Sequence, residues 1–227
     1  VWGKTSKKWF IEQGLKKENL IITGSPKFDE YSSNIENVDI KKEFNIPYNK
    51  KIILFIAPAN KVLKYPKYML SHKEYTELYK ILYNIIKKIK DSILIVKLHP
   101  SDGYDYIPKK ILEEENLKNV IIINKYLDSS LRQADLVIST GSTVTLEAMF
   151  FKKPIIILNL FNRPPLEPFV ENGMCIGVNK KNQLKDSIIN AFKNKDKLVK
   201  RYNKNFNDYV LDDGKSHKRI SDVILKN

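Results

Sequence analysis

The chain has 227 residues, which is enough to bury the core of a full domain. It carries 40 Lys and Arg residues against 26 Asp and Glu, and the formal net charge of +14 favours anionic partners. Such partners are phosphorylated small molecules, an anionic membrane surface or nucleic acid. The basic residues are spread along the whole chain, and the densest run, 193–205, lacks a recognisable nucleic-acid-binding module. We therefore expect no nucleic-acid partner, while peripheral association with an anionic membrane stays open.

Hydrophobic runs and cysteine content bear on where the chain works. The longest apolar runs, such as PIIIL at 154–158, are far too short to span a membrane, and no signal peptide is visible. The single cysteine, Cys175, has no partner for an internal disulfide, which is typical of a reducing compartment. These features predict a cytoplasmic protein, with the inner face of the membrane as the alternative location.

Apolar runs and helical patterns alternate along the chain. Residues 1–19 begin in the middle of a pattern, and we interpret them as the remnant of an upstream domain or a linker. The predicted strands are 20–23, 51–56, 92–98, 120–123, 136–139 and 154–158, with a weaker seventh at 175–178. Continuous apolar strands separated by helices predict a doubly wound α/β domain over 20–211, with a parallel sheet of about six to seven strands.

The clearest helical pattern follows Ser71. Ser71 and Glu74 have the spacing of a capping box, which marks a helix start. One apolar stripe follows at helical spacing, formed by Tyr75, Leu78, Tyr79, Leu82, Ile86 and Ile89. A further helix is predicted within 212–227, beside the cleft or directed toward the missing upstream domain.

The loops that follow the predicted strands should meet at one edge of the sheet, where open α/β sheets bind ligands. In STGST, Gly141 lets the backbone approach a phosphate, and the hydroxyls of Ser142 and Thr143 are donors beside the N–H groups that open the next helix. The alternative is that Ser142 or Thr143 only caps the next helix. Glu147, one turn later, faces either solvent or the crevice, where it could accept hydrogen bonds from a ribose.

Two other strand ends carry polar candidates. His99, in KLHPSDG, can hydrogen-bond or pair with a diphosphate, although a packed or surface histidine is the competing interpretation. Gly24 and Ser25, in GSPKFD, form a similar phosphate-binding turn or a plain turn. The chain has three histidines and no clustered His and Cys spacing, so we predict no metal site. The absence of GxGxxG and GxxxxGK[ST] patterns argues against a dinucleotide cofactor and P-loop hydrolysis, and we predict no cofactor.

The order of GSPKFD, LHPSD, ADLVISTGSTVTLEAMFFKKPIIIL and DDGKSHKRISDVI resembles the C-terminal, Rossmann-like half of GT-B glycosyltransferases over residues 20–224. The resemblance is strongest to the CDP-glycerol glycerophosphotransferases of teichoic acid and capsule synthesis. It assigns the family's histidine to His99, its hydroxyl pair to Ser142 and Thr143, and its acid to Glu147. The chain departs from the pattern at Thr140 and Gly141, where that family has Asp and Tyr. TLEA is equally similar to lipid A disaccharide synthases.

The resemblance implies a nucleotide-diphosphate donor, CDP- or UDP-linked, bound by Gly24, Ser25, His99, Thr140, Gly141, Ser142, Thr143 and Glu147. It implies metal-free transfer with His99 as a catalytic residue, a general base in the missing domain, and a polysaccharide or lipid-linked acceptor. The fragment alone is then expected to be inactive. Two alternatives remain. One is a UDP-N-acetylglucosamine 2-epimerase-like enzyme, a family that usually has paired acids where this chain has Leu146 and Glu147. The other is a non-catalytic binding module of the same fold.

Overall fold

The computed structural model describes residues 1–32, 37–59, 69–100, 104–165 and 168–225. Within them the chain divides into two compact units. One unit is the central segment Val38–Val199, and the other joins the two ends of the chain, Val1–Asn37 and Lys200–Asn227. The boundaries expected at residues 20 and 212 stay predictions.

The central unit contains a six-stranded sheet in which every neighbouring pair of strands is parallel. Its strands are β1 Lys51–Ile56, β2 Ser92–Lys97, β3 Val120–Ile123, β4 Leu136–Ser139, β5 Ile155–Leu158 and β6 Ile176–Val178. The strand order is β3-β2-β1-β4-β5-β6. Strands β2 and β3 thus lie on one side of β1, and β4, β5 and β6 lie on its other side. This doubly wound α/β architecture confirms the predicted fold class.

Helices alternate with the strands. They are α1 Lys4–Glu12, α2 Pro26–Ser32, α3 Ile40–Glu43, α4 His72–Ile86, α5 Tyr106–Glu114, α6 Leu127–Gln133, α7 Val144–Phe150, α8 Leu184–Lys193, α9 Lys195–Tyr209 and α10 Ser216–Leu225. Short 3-10 turns lie at Lys17–Asn19 and Lys181–Gln183. The helix expected within 212–227 is present as α10.

Helix α4 has the capping box and the buried apolar stripe that its sequence predicted. The Ser71 hydroxyl accepts the Glu74 backbone N–H at 3.3 Å, and the Glu74 carboxylate accepts the Ser71 N–H at 2.7 Å. All residues of the predicted stripe are buried, and Tyr79 packs edge-on against Phe55 of β1 with ring centroids 5.7 Å apart. The core on this face of the sheet is therefore built by α4, with α5 and α8 beside it.

The predicted strand at 20–23 is wrong. These residues belong to the unit formed by the chain ends, and their backbone pairs with the first residue instead of the sheet. The Thr23 N–H donates to the Val1 carbonyl at 3.0 Å, and the Val1 amino group donates to the Ile21 carbonyl at 2.8 Å. Ile21 is 48% exposed, so the segment is not a buried strand. Its apolar residues match a strand in composition, but its backbone pairs with Val1 and not with a strand of the sheet.

Candidate functional site

The carboxyl ends of β1, β2, β4 and β5 surround a cavity of about 300 Å³. Residues that follow each of these strands line it, among them Ala57, His99, Ser142 and Asn159. The cavity lies where the order of the strands reverses between β1 and β4, which is the position at which doubly wound sheets bind ligands. The loops predicted to converge after these strands do meet here.

The loop after β4 takes its shape from Ser139, the last residue of that strand. The buried Ser139 hydroxyl accepts the backbone N–H of Gly141 at 3.0 Å and of Ser142 at 3.3 Å. It also lies 3.3 Å from the Thr145 hydroxyl in α7. Gly141 has a φ of +99°, a backbone conformation that favours glycine. These two backbone N–H groups are therefore used inside the loop.

Ser142 and Thr143 line the cavity, and neither side chain caps α7. The Ser142 hydroxyl is buried and has no hydrogen-bond partner in the part of the chain that the structure describes. Thr143 is exposed at the cavity wall. Capping, the simpler interpretation of these hydroxyls, is thus not what they do in this fold. Thr140 also lines the cavity.

His99 is half-buried and lines the same cavity, two residues beyond the end of β2. The parallel sheet places it there because the segment after β2 leaves at the same edge as the segment after β4. The structure thus brings His99 and the STGST loop to one space, as predicted.

Arg163 is a candidate that sequence reasoning missed. Its backbone is held by Asn159, whose side-chain amide accepts the Arg163 N–H and donates to the Arg163 carbonyl, both at 2.8 Å. Its guanidinium Nη2 contacts the Glu74 carboxylate at 2.5 Å. The Arg163 Nε is buried and has no hydrogen-bond partner among the described residues. A cation with a buried donor that has no partner among the described residues therefore lies at the wall of the cavity.

Glu74 links the start of α4 to Arg163. Burial alone would raise the pKa of this carboxyl, but hydrogen bonds from Ser71 and the ion pair with Arg163 outweigh it and lower the pKa. Glu74 therefore keeps its negative charge and holds the Arg163 side chain in one orientation.

A second cavity, of about 410 Å³, adjoins the first and shares Thr140, Asn159 and Arg163 with it. Its other lining groups include polar side chains such as those of Asn162 and Glu171. The first cavity has mostly apolar walls, with Ile56, Leu70, Leu78, Leu158, Leu160 and Phe161 among them. An apolar and a polar compartment thus meet at Arg163, which suits a ligand with chemically different ends.

The remaining predicted residues lie elsewhere. Glu147 is buried within α7, 5% exposed, and lines neither cavity, so its contact with a ribose stays a prediction. Gly24 and Ser25 belong to the unit formed by the chain ends, where Gly24 packs against Ser216 at the start of α10. Their role in donor binding also stays a prediction.

Two features are absent from the part of the chain that the structure describes. Among them, no three His, Cys, Asp or Glu side chains cluster in a way that could hold a metal ion. Within the same part of the chain, none of the helices has the length and apolar character needed to cross a membrane.

The doubly wound parallel sheet and the solved structures that it matches define an α/β protein with the GT-B glycosyltransferase-like fold. The family model of UDP-N-acetylglucosamine 2-epimerase matches residues 2–225. The chain therefore belongs to the UDP-N-acetylglucosamine 2-epimerase family. The motifs of the sequence had indicated this family as the alternative to a transferase. The resemblance to the GT-B fold is confirmed. The narrower relation to glycerophosphotransferases stays a prediction.

Individual relatives and solved structures match almost the whole of this chain. The processive diacylglycerol beta-glucosyltransferase of Bacillus subtilis (strain 168) is 26% identical over 226 residues, 97% of this chain and 55% of that protein. The S. aureus MnaA-UDP co-structure matches with a TM-score of 0.68 and 18% identity, over 99% of this chain and 57% of that one. A structure of the wall teichoic acid polymerase TagF, soaked with CDPG, matches with a TM-score of 0.64 and 18% identity, over 100% and 56%. The chain thus spans little more than half the length of these relatives.

Proposed function

We propose that the cavity at the β1–β4 switch point binds the diphosphate of a nucleotide-linked donor. The Ser142 hydroxyl carries this proposal, because it is buried at the cavity without a partner among the described residues. A buried polar group without a hydrogen bond costs free energy, and a phosphate oxygen accepts the hydrogen bond that is missing. The free Nε of Arg163 offers a second donor of the same kind.

The chemistry of transfer from such a donor places negative charge on the leaving diphosphate. Donors that are already held in place stabilise that charge without reorganising. Arg163 is held by Glu74 and Asn159, and the loop that carries Ser142 is held by Ser139. His99 is the candidate catalytic residue, acting as a hydrogen-bond donor to the leaving group. No step in this scheme uses a metal ion.

We infer that the chain is the donor-binding half of a transferase that builds a surface polysaccharide or a teichoic-acid-like polymer. A glucosyltransferase and a teichoic acid polymerase among the similar proteins support this inference. The MnaA structure contains UDP and the polymerase was soaked with CDPG, which supports a UDP- or CDP-linked donor. The acceptor site and the general base would then lie in the part of the relatives that this chain does not span. The chain alone should therefore bind the donor without turnover.

A 2-epimerase is the second candidate, and the family match favours it. One feature argues against it. Leu146 stands where that family usually has the first of two paired acids, and the leucine is buried and cannot carry charge. A non-catalytic binding module would share the cavity but not the turnover of either enzyme.

Calorimetric titration with UDP, CDP, ATP and NAD tests the donor proposal. We expect saturable binding of UDP or CDP that is at least about tenfold tighter than that of ATP or NAD, or about 1.4 kcal/mol. Equal affinities for all four would contradict a pyrimidine-linked donor. Incubating a longer protein that includes this chain with UDP-N-acetylglucosamine, and following carbon 2 of the sugar by NMR, separates the two enzymes: a 2-epimer appears only if the protein is an epimerase.

A further inference from the structure

Lys97, the last residue of β2, is 6% exposed and is the one buried lysine among the residues that the structure describes. Its neighbours Val96 and Leu98 belong to the core on the α4 face, so the alternation of the strand directs Lys97 to the opposite face. The Nζ of Lys97 donates to the Leu98 carbonyl at 2.7 Å, and within the described ranges it has no carboxylate partner. A buried ammonium with one neutral partner is costly, and burial lowers the pKa of Lys97.

The position of this charge relates it to the cavity. Lys97 pairs in register with Ile56 of β1, and Ile56 lines the cavity. The carbonyl that Lys97 binds belongs to the peptide that leads directly into His99, another lining residue. The ammonium therefore lies at the carboxyl edge of the sheet, next to the backbone of the anion-binding candidate, and the residue is 6% exposed to solvent.

We propose that Lys97 is an electrostatic determinant of the cavity, whose buried positive charge attracts the diphosphate without touching it. The inference rests on the proposed function and names a further residue for it. A charge that is held in a low-dielectric environment acts over a longer distance than a solvated one. This explains why the fold keeps a lysine where a methionine or leucine would fit the burial better.

Lys153 provides a matched control. Its Nζ also donates to a backbone carbonyl, that of Arg132 at 2.6 Å, and it is half-buried. It lies just before β5, at the amino edge of the parallel sheet, opposite to the cavity. Removing this lysine changes the net charge by the same amount, but at the edge of the sheet that lies away from the cavity.

The experiment measures the dissociation constants of UDP, UMP, CDP and CMP for the wild type and for Lys97→Met, Lys97→Gln, Lys97→Arg and Lys153→Met. In Lys97→Met and Lys97→Gln we expect about five- to tenfold weaker binding of the bound diphosphate and about two- to threefold weaker binding of its monophosphate. Lys97→Arg should keep most of the affinity, and Lys153→Met all of it. The melting temperature of Lys97→Met should stay or rise, since an unpaired buried charge is removed.

The outcomes separate the two claims. Unchanged diphosphate affinity in Lys97→Met, or wild-type affinity in Lys97→Gln, which keeps a donor without charge, overturns the role of Lys97 and leaves the proposed function standing. An equal loss in Lys153→Met overturns it as well, because position would not matter. If Lys97→Met does not fold, Lys97→Gln and Lys97→Arg decide between charge and no charge. Failure of the wild type to bind any of the four nucleotides overturns the proposed function, and the role of Lys97 with it.

Discussion

The hydroxyl of Ser139 accepts the backbone N–H of Gly141 at 3.0 Å, so the last residue of β4 sets the path of the loop that follows. The same hydroxyl accepts the Ser142 N–H at 3.3 Å. The buried side chain of Ser139 thus holds the loop, and the Ser142 hydroxyl keeps its hydrogen bond for the proposed ligand. Structure and binding are carried by different serines, which makes them separable by mutation.

Ser142→Ala should weaken binding of UDP or CDP by about 1.5–3 kcal/mol, the range for a hydrogen bond to a charged group, and leave stability unchanged or slightly higher. Ser130→Ala is the matched control, because the Ser130 hydroxyl is also buried without a partner among the described residues but lines neither cavity. Calorimetry and thermal unfolding of both variants measure the two effects. Equal binding losses in the two variants would argue against a direct contact by Ser142.

The Glu74–Arg163 pair should make stability depend on acidic pH. The folded-state pKa of Glu74 is lowered, so its contribution is complete above the unfolded pKa, near 4.5, and is lost as the pH falls through the folded pKa. We expect the free energy of unfolding of the wild type to exceed that of Glu74→Gln by on the order of 1 kcal/mol at neutral pH, with the difference disappearing toward pH ~3. Urea unfolding at several pH values measures it. A difference that is constant with pH would show that charge is not its origin.

Lys153 should make stability depend on alkaline pH, and here too stability should rise with pH. Burial, helped by the nearby Lys195 and opposed by Asp135, lowers the pKa of Lys153 to about 8. Between this value and the unfolded pKa near 10.5 the unfolded chain binds more protons, so stability rises with pH. Relative to Lys153→Met, the wild type should gain up to roughly 3 kcal/mol over this interval. Lys118→Met, at an exposed lysine, should show no such trend in the same unfolding measurements.

The sequence predicted most of the sheet because its signals are local. Six apolar runs bounded by turn residues are the six strands, and the capping box of Ser71 and Glu74 starts α4. The run at 20–23 has the same composition, but composition does not reveal which backbone a segment pairs with. Arg163 was missed for a related reason. It lies in an aperiodic loop, and its contact with Glu74 joins residues 89 positions apart.

The site was predicted in part. Strand ends are readable from sequence, so His99 and the STGST loop were placed at one edge correctly. The hydrogen-bond partner of each hydroxyl could not be predicted from the sequence. Whether a hydroxyl caps a helix, holds a loop or faces a cavity depends on distances of a few tenths of an ångström. The sequence therefore does not reveal that the Ser139 hydroxyl accepts the backbone N–H groups of Gly141 and Ser142.

Gly24 should be required by the packing of the unit formed by the chain ends. Its φ is +79°, and a Cβ at this position would lie 2.3 Å from the Ser216 hydroxyl oxygen and 2.8 Å from the Leu211 carbonyl oxygen. Gly14 has a φ of +92° and open space around it. Gly24→Ala should therefore destabilise the chain by about 1–3 kcal/mol more than Gly14→Ala, because only the first adds steric overlap to backbone strain. Equal melting temperatures of the two variants would show that Gly24 is chosen for its φ alone.

The most direct test of a diphosphate site in this cavity is the dissociation constant of UDP and CDP for the wild type and for the double variant Ser142→Ala, Thr143→Ala, measured by calorimetry on folded protein. We predict one saturable site in the wild type and an affinity at least about tenfold weaker in the double variant, since each lost hydrogen bond to a charged group costs about 1.5–3 kcal/mol. A lowered melting temperature with unchanged affinity would contradict the account, because it would mean that the two hydroxyls serve the loop and not a ligand.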